Sequence, residues 1–158
     1  MEDIKFLGNM TEEYAIDICN WNYDGGYSVY NMPSFDEAKK KNYSIANPSR
    51  YSEYLCYGIN KELVAYIKLN FKENNEIYVG IGLKPNVTGK GLGKHILNFA
   101  LEYIKQNYAS YTPMLEVRSW NTRAIKCYTA VGFKPAKTIM QTDKNGVECE
   151  FVIMKYEI

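Results

Sequence analysis

The sequence predicts a mixed α/β domain, and three observations carry that reading. Apolar residues alternate with a period of two through 63–71 and 77–83, the pattern of half-buried strands. Through 92–108 the period becomes helical: Leu92, Ile96, Ala100 and Ile104 fall four apart, with Leu97 and Leu101 beside them. The 158 residues suit a single domain over 1–158, and 46% hydrophobic with 23% charged residues excludes disordered and fibrous chains.

Taken in order, residues 4–7 read as a short first strand and 12–21 as a helix carrying Ala15, Ile16, Ile18 and Cys19. Residues 22–33 contain Gly25-Gly26 and read as a loop. Ser34 with Glu37 forms a capping-box pattern for a second helix reaching to about Tyr43, and a polar stretch around Asn47-Pro48-Ser49 follows. Strands 54–59 and 63–71 flank Asn60-Lys61 as a hairpin, and Glu73-Asn74-Asn75 turns the chain into strand 77–83. After the long helix come a strand at 114–118, a helix at 122–130, and strands 133–141 and 147–156 joined through Asp143-Lys144-Asn145-Gly146. The expected architecture is therefore α/β (α+β), about seven strands with about four helices.

Composition narrows the function. Lys plus Arg number 19 against 18 for Asp plus Glu, so no extended field exists for gripping a nucleic-acid backbone. No apolar run approaches the roughly 20 residues of a bilayer span, and Met1-Glu2-Asp3-Ile4-Lys5 lacks the basic flank and apolar core of a signal peptide. Cys19, Cys56, Cys127 and Cys149 are far apart, with no C-x-x-C pair and one His in the chain, which argues against a zinc site. A cytoplasmic protein with reduced thiols, no metal, no membrane and no nucleic-acid partner is expected. An anionic ligand would have to be held locally.

One segment is built to do so. Between a strand and the strongest helix lies Lys84-Pro85-Asn86-Val87-Thr88-Gly89-Lys90-Gly91-Leu92-Gly93-Lys94. Glycines at alternate positions let the backbone turn tightly and expose its N–H groups, and the helix start adds unpaired donors and partial positive charge. Lys90 and Lys94 bring further charge to this phosphate-sized cradle. Close strand–helix packing is the alternative reason for the glycines. A Walker loop would need Gly at Lys84 and Ser or Thr at Gly91, and a dinucleotide fingerprint would need Gly at Lys94. Neither fits.

Downstream, Leu115-Glu116-Val117-Arg118-Ser119-Trp120-Asn121 precedes Ala124, Tyr128, Gly132 and Phe133. Asn121 suits the cap of the next helix, Ala124 and Tyr128 share one helix face, and Gly132-Phe133 suits its end.

Together the two segments resemble the GCN5-related N-acetyltransferase superfamily. Its signature Q/R-x-x-G-x-G/A maps onto Thr88-Gly89-Lys90-Gly91-Leu92-Gly93, with Thr88 in place of Gln or Arg. Its signature N-x-x-A-x-x-x-Y-x-x-x-G-F matches Asn121, Ala124, Tyr128, Gly132 and Phe133. The resemblance implies a twisted, mostly antiparallel mixed sheet whose strand through Ile81, Gly82 and Leu83 parts from a parallel neighbour. It implies acetyl-CoA as donor and an amine acceptor that attacks the thioester in a ternary complex. Thr88, Gly89, Lys90, Gly91, Leu92, Gly93 and Lys94 would hold the diphosphate end, and Asn121 and Tyr128 would also belong to the cofactor site. Ile81, Gly82 and Leu83 would bond the pantetheine arm, an N–H near Ile81 facing the carbonyl oxygen.

An alkyl ammonium has a pKa near 10.4 and must shed a proton before attack, while the leaving thiolate departs better if protonated. Tyr128 stands at the family's acid position; packing its ring under the cofactor is the other role open to it. Glu116, in Leu-Glu-Val-Arg, and Glu76 are rival bases, with water or an already neutral amine as the third choice. Trp21, Tyr23, Tyr27 and Tyr30 form the expected acceptor wall, opposite the last hairpin, their rings and hydroxyls suited to a cationic amine. Gly80 and Gly82 are consistent with close approach to the strand backbone, by ligand or by sheet packing. His95 reads as a surface or packing residue. A homodimer is implied by family habit only, and a noncatalytic acyl-CoA sensor on the same scaffold is the alternative function.

Overall fold

The computed structural model describes residues 3–143 and 145–157; Met1, Glu2 and Ile158, and Lys144 of the expected last turn, lie outside the described residues. The chain runs β1 (Ile4–Gly8), α1 (Glu12–Cys19), α2 (Phe35–Lys40), β2 (Tyr54–Ile59), β3 (Glu62–Lys72), β4 (Glu76–Leu83), α3 (Leu92–Asn107), β5 (Thr112–Arg118), α4 (Thr122–Val131), β6 (Phe133–Thr142) and β7 (Glu148–Tyr156). The strands form one seven-stranded sheet in the order β1-β2-β3-β4-β5-β7-β6. The expected seven strands and four α-helices are all present among the described residues.

Local chemistry explains the boundaries. Thr11 and Ser34 accept from the amides of Tyr14 and Glu37, capping α1 and α2 with hydroxyl oxygens. Asn60 and Lys61 sit at φ 51° and 67°, the pair of left-handed residues that a two-residue hairpin turn requires. At the end of β6, the Asp143 carboxylate accepts from the amides of Asn145 and Val147 and fixes the last turn. Those two amides, Val147 first, hold its pKa below the ordinary carboxylate value.

The first two helices end earlier than the periodicity suggests. α1 stops at Cys19 because the amides of Asn20 and Trp21 turn back to Asp17 and Ile18, the tightened bonding of a helix end. α2 stops at Lys40, and Asn42 follows at φ 56°. The polar stretch around Asn47-Pro48-Ser49 lies within a segment of two 3-10 turns, Ser44–Ala46 and Pro48–Glu53, and the first buries Ile45 and Ala46.

The chain contacts group into two compact units, Met1–Lys68 with Ile81–Leu92, and Leu69–Gly80 with Gly93–Ile158. In the first unit, Ala15, Ile18 and Cys19 of α1 pack with Trp21, Ala38 and Ile45 and with Tyr54, Cys56 and Leu63 of the hairpin. In the second, Ile96, Leu97, Ala100 and Ile104 of α3 are buried, as are Leu115, Phe133, Ile153 and Met154. Each fully buried Leu, Ile, Phe or Met among them contributes about 1.5–3 kcal/mol of apolar burial.

β5 pairs antiparallel with β7, and β7 with β6. β4 and β5 are the parallel pair, and their ladder is short: Glu76↔Thr112, Ile77↔Pro113 and Tyr78↔Met114. Beyond Tyr78 and Met114 both strands continue, to Leu83 and Arg118, outside that ladder. No helix among the described residues is long and apolar enough to cross a membrane.

Candidate active site

The glycine turn takes the shape its sequence calls for. After a single 3-10 turn at Pro85–Val87, Gly89 and Gly91 adopt φ +76° and +79°, and α3 starts at Leu92. A Cβ at either glycine would meet no atom within 4 Å, so both are glycine for backbone conformation, not for tight packing. The first amides of the 16-residue α3 have no partner within the helix, and the exposed Lys90 and Lys94 flank them. Thr88 ties its hydroxyl to the Pro85 carbonyl at 2.9 Å, so in place of the family's longer side chain it braces the turn internally. His95 is exposed on the first turn of α3.

The second motif is equally local. The Asn121 side chain accepts from Ala124 N at 3.1 Å and caps α4, while Asn121 is itself buried. Gly132 ends α4 at φ +125°, where a Cβ would stand 3.0 Å from the Tyr156 ring. Tyr128 is half-buried in the last turn of α4.

Both rival bases fall in one groove. It has a volume of about 870 Å³ and is lined by Phe71, Lys72, Glu73, Glu76, Tyr78, Gly80, Glu116, Lys137, Ile139, Gln141 and Ile153, among others. The alternation of the strands places them there: Glu76, Tyr78 and Gly80 follow one face of β4, and Lys137, Ile139 and Gln141 one face of β6. Glu116 and Lys137 both pair with Ile153 of β7, so the three side chains form one row across β5, β7 and β6. Burial raises the pKa of the Tyr78 hydroxyl, and the nearby charges of Glu76 and Glu116 raise it further. Tyr78 therefore remains a neutral hydroxyl between two carboxylates. The sequence reading singled out Glu76 and Glu116 and passed over Tyr78, Lys137, Ile139 and Gln141. The period of two through 137–141 was the available signal.

The residues of the expected aromatic wall are placed differently from one another. Trp21 is 5% exposed, stacked at 6.0 Å on Tyr66 within the first unit's core, so it presents no ring face to a ligand. Its indole N–H has no acceptor among the described residues. Tyr23 donates its hydroxyl to the Leu83 carbonyl, and its amide is held by the Asn31 side chain at 2.7 Å. Tyr27 is half-buried and Tyr30 exposed, both within a 3-10 turn, Gly25–Tyr30, inside the segment read as loop. Gly82 also resolves: the Tyr66 ring occupies the space over it, so sheet packing is what that glycine serves.

Two further features touch no ligand chemistry. The four cysteines are all free thiols. Among the described residues, no group of three or more His, Cys, Asp or Glu is placed to hold a metal.

Comparison with known proteins identifies the family. The family model described as Acetyltransferase (GNAT) family matches residues 15–133. The chain belongs to the GNAT acetyltransferase family and is an N-acetyltransferase by that membership. Among solved structures, spermidine N-acetyltransferase from Vibrio cholerae in complex with CoA and spermine superposes with a TM-score of 0.75 at 20% identity, covering 96% of this chain and 94% of that one. The ribosomal-protein-S18-alanine N-acetyltransferase from Escherichia coli superposes with a TM-score of 0.68 at 20% identity, covering 99% and 93%. A Salmonella typhimurium protein described as an acetyltransferase, with its cofactor acetyl-CoA, gives 0.71 at 16%, covering 98% and 92%. At these identities the likeness is one of fold. Among proteins with curated functions, none matches the sequence.

Proposed function

We propose that this chain transfers an acetyl group from acetyl-CoA to a primary amine by direct attack in a ternary complex. The observation that carries the proposal is the groove where the β4–β5 ladder ends, with Glu76 and Glu116 both lining it beside a neutral Tyr78. Such a groove attracts an ammonium group and can take its proton.

The residues present fit the donor. Two left-handed glycines with open space above them, the free amides opening α3, and Lys90 and Lys94 suit a diphosphate. Thr88 and Asn121 keep the two motif turns in shape, and Ile81, Gly82 and Leu83 offer backbone for the pantetheine arm. Bound there, acetyl-CoA would supply the activated thioester.

The chain's own groups handle the protons. Glu116, with Glu76 as the rival, accepts one from the ammonium so that the nitrogen lone pair is free. Tyr128 hands a proton to the departing sulfur. The spermidine and ribosomal-protein N-acetyltransferases that share the fold act on amines of very different size, and both accord with amine acetylation here. A cytoplasmic setting and a homodimer remain part of the proposal. The test is release of free CoA thiol on mixing protein, acetyl-CoA and an amine panel. Turnover on some amine supports the proposal; acetyl-CoA binding without thiol release on any amine would make the chain an acyl-CoA sensor instead.

A further inference from the structure

The floor of the groove carries charges of both signs in a fixed order. Glu116, Ile153 and Lys137 lie in register on adjacent strands, Glu116↔Ile153 across β5–β7 and Lys137↔Ile153 across β7–β6. Two strand spacings separate the outer pair, about 9.5 Å. Ile153 is 1% exposed and forms an apolar floor between them, with Ile139 beside it. Both charged side chains are exposed, and among the described residues neither has an ion-pair partner. A carboxylate and an ammonium facing one cavity, with Glu73, Glu76 and Lys72 lining it as well, are complementary to a ligand that carries both opposite charges.

We infer that the acceptor is a zwitterionic free amino acid whose ammonium faces Glu116 and whose carboxylate is held by Lys137. This rests on the acetyl-transfer reading above and deepens it. The scale is compatible: two charge-assisted hydrogen bonds of about 2.8 Å and roughly 3 Å across an α-amino acid sum to about 8.6 Å, a span that long Glu and Lys side chains rising from backbones about 9.5 Å apart can reach. Ile153 and Ile139 would meet an apolar side chain, and Phe71 lines the same groove. With Glu73, Glu76 and Glu116 against Lys72 and Lys137, the lining carries one net negative charge, and a polycation would meet both lysines. In the reaction a C–N bond replaces the C–S bond. The ammonium yields one proton to Glu116 for attack and a second to solvent as the amide forms, and the thiolate takes its proton from Tyr128, which is recharged from solvent.

The test compares leucine with 3-methylbutylamine, and phenylalanine with phenethylamine, as acceptors at saturating acetyl-CoA. Each pair differs only by the carboxylate. The wild type should favour the amino acid by roughly tenfold or more in kcat/KM, the scale of one charge-assisted hydrogen bond. Lys137→Glu should reverse the preference mainly through KM, and Lys137→Arg should keep it. Equal or opposite preference in the wild type, or a preference that survives Lys137→Glu, overturns the inference. If the decarboxylated amines are acetylated and the amino acids are not, the inference falls and acetyl transfer stands. If titration calorimetry shows no acetyl-CoA binding, both fall together.

Discussion

The ring of Tyr66 lies where any side chain at position 82 would have to go: a Cβ on Gly82 would stand 2.2 Å from its Cε1. The ring cannot retreat easily, since it also packs on Trp21 at 6.0 Å and on Tyr54 at 5.9 Å. Gly82→Ala should therefore lower stability by about 1–3 kcal/mol, the range of overpacked cores. Adding Tyr66→Leu should recover part of the loss. Urea denaturation of the two single variants and the double gives the coupling; additive losses would contradict the contact.

The glycine turn should respond differently. Gly89 and Gly91 are left-handed with open space around them, so alanine there meets only the backbone penalty of about 1–2 kcal/mol. Gly91→Ala should raise KM for acetyl-CoA several-fold while leaving acceptor KM nearly unchanged. Steady-state kinetics with each substrate varied in turn checks it.

Tyr128→Phe keeps the ring and removes the proton. The expected result is a fall in kcat of roughly 10²–10⁴-fold, with the acetyl-CoA dissociation constant little changed. A kcat equal to wild type would leave Tyr128 as a packing residue under the cofactor.

The base is identified by pH. An acceptor amine with a pKa near 10.4 needs a base at neutral pH and progressively less help as pH approaches 10. Glu116→Gln should thus depress kcat/KM strongly at pH 7 and close on the wild type towards pH 10. Glu76→Gln showing that convergence instead would transfer the role.

Stability should also fall on the alkaline side. Burial pushes the Cys56 thiol and the Tyr54 hydroxyl up to about 12 each, from 9.0 and 10.0. Between those values the folded state holds protons that the unfolded chain releases, so stability is full below pH 9 and declines as pH rises towards 12. Between pH 8 and 10.5 the loss should be on the order of 3 kcal/mol. Guanidinium denaturation at the two pH values measures it, and Cys56→Ala should flatten the slope.

Much of the fold was legible because its signals are local. Asn60-Lys61 at the hairpin, Ser34 before α2, Asn121 before α4 and Gly132 after it each act within four residues. The 3-10 turns were not legible. Ile45 and Ala46 are buried by contacts far along the chain, and Asn-Pro-Ser around them reads as polar loop. The site divides the same way. Glu76 and Glu116 stood out as carboxylates near the right strand ends. Lys137 did not, because its place beside Glu116 follows from two successive strand pairings through Ile153. Trp21 is the converse case: an aromatic residue beside a Gly-rich loop reads as a ligand wall, while its burial depends on Tyr66, far along the chain.

The most direct measurement is calorimetric titration of acetyl-CoA into the wild type and into Gly91→Ala, with amide resonances of 89–94 followed by NMR. One molecule of acetyl-CoA per chain, weakened by the substitution and shifting the amides from Gly89 to Lys94, is the expected result. Absence of binding at saturating donor, or binding that leaves those amides unmoved, would contradict the diphosphate cradle on which the proposed catalysis depends.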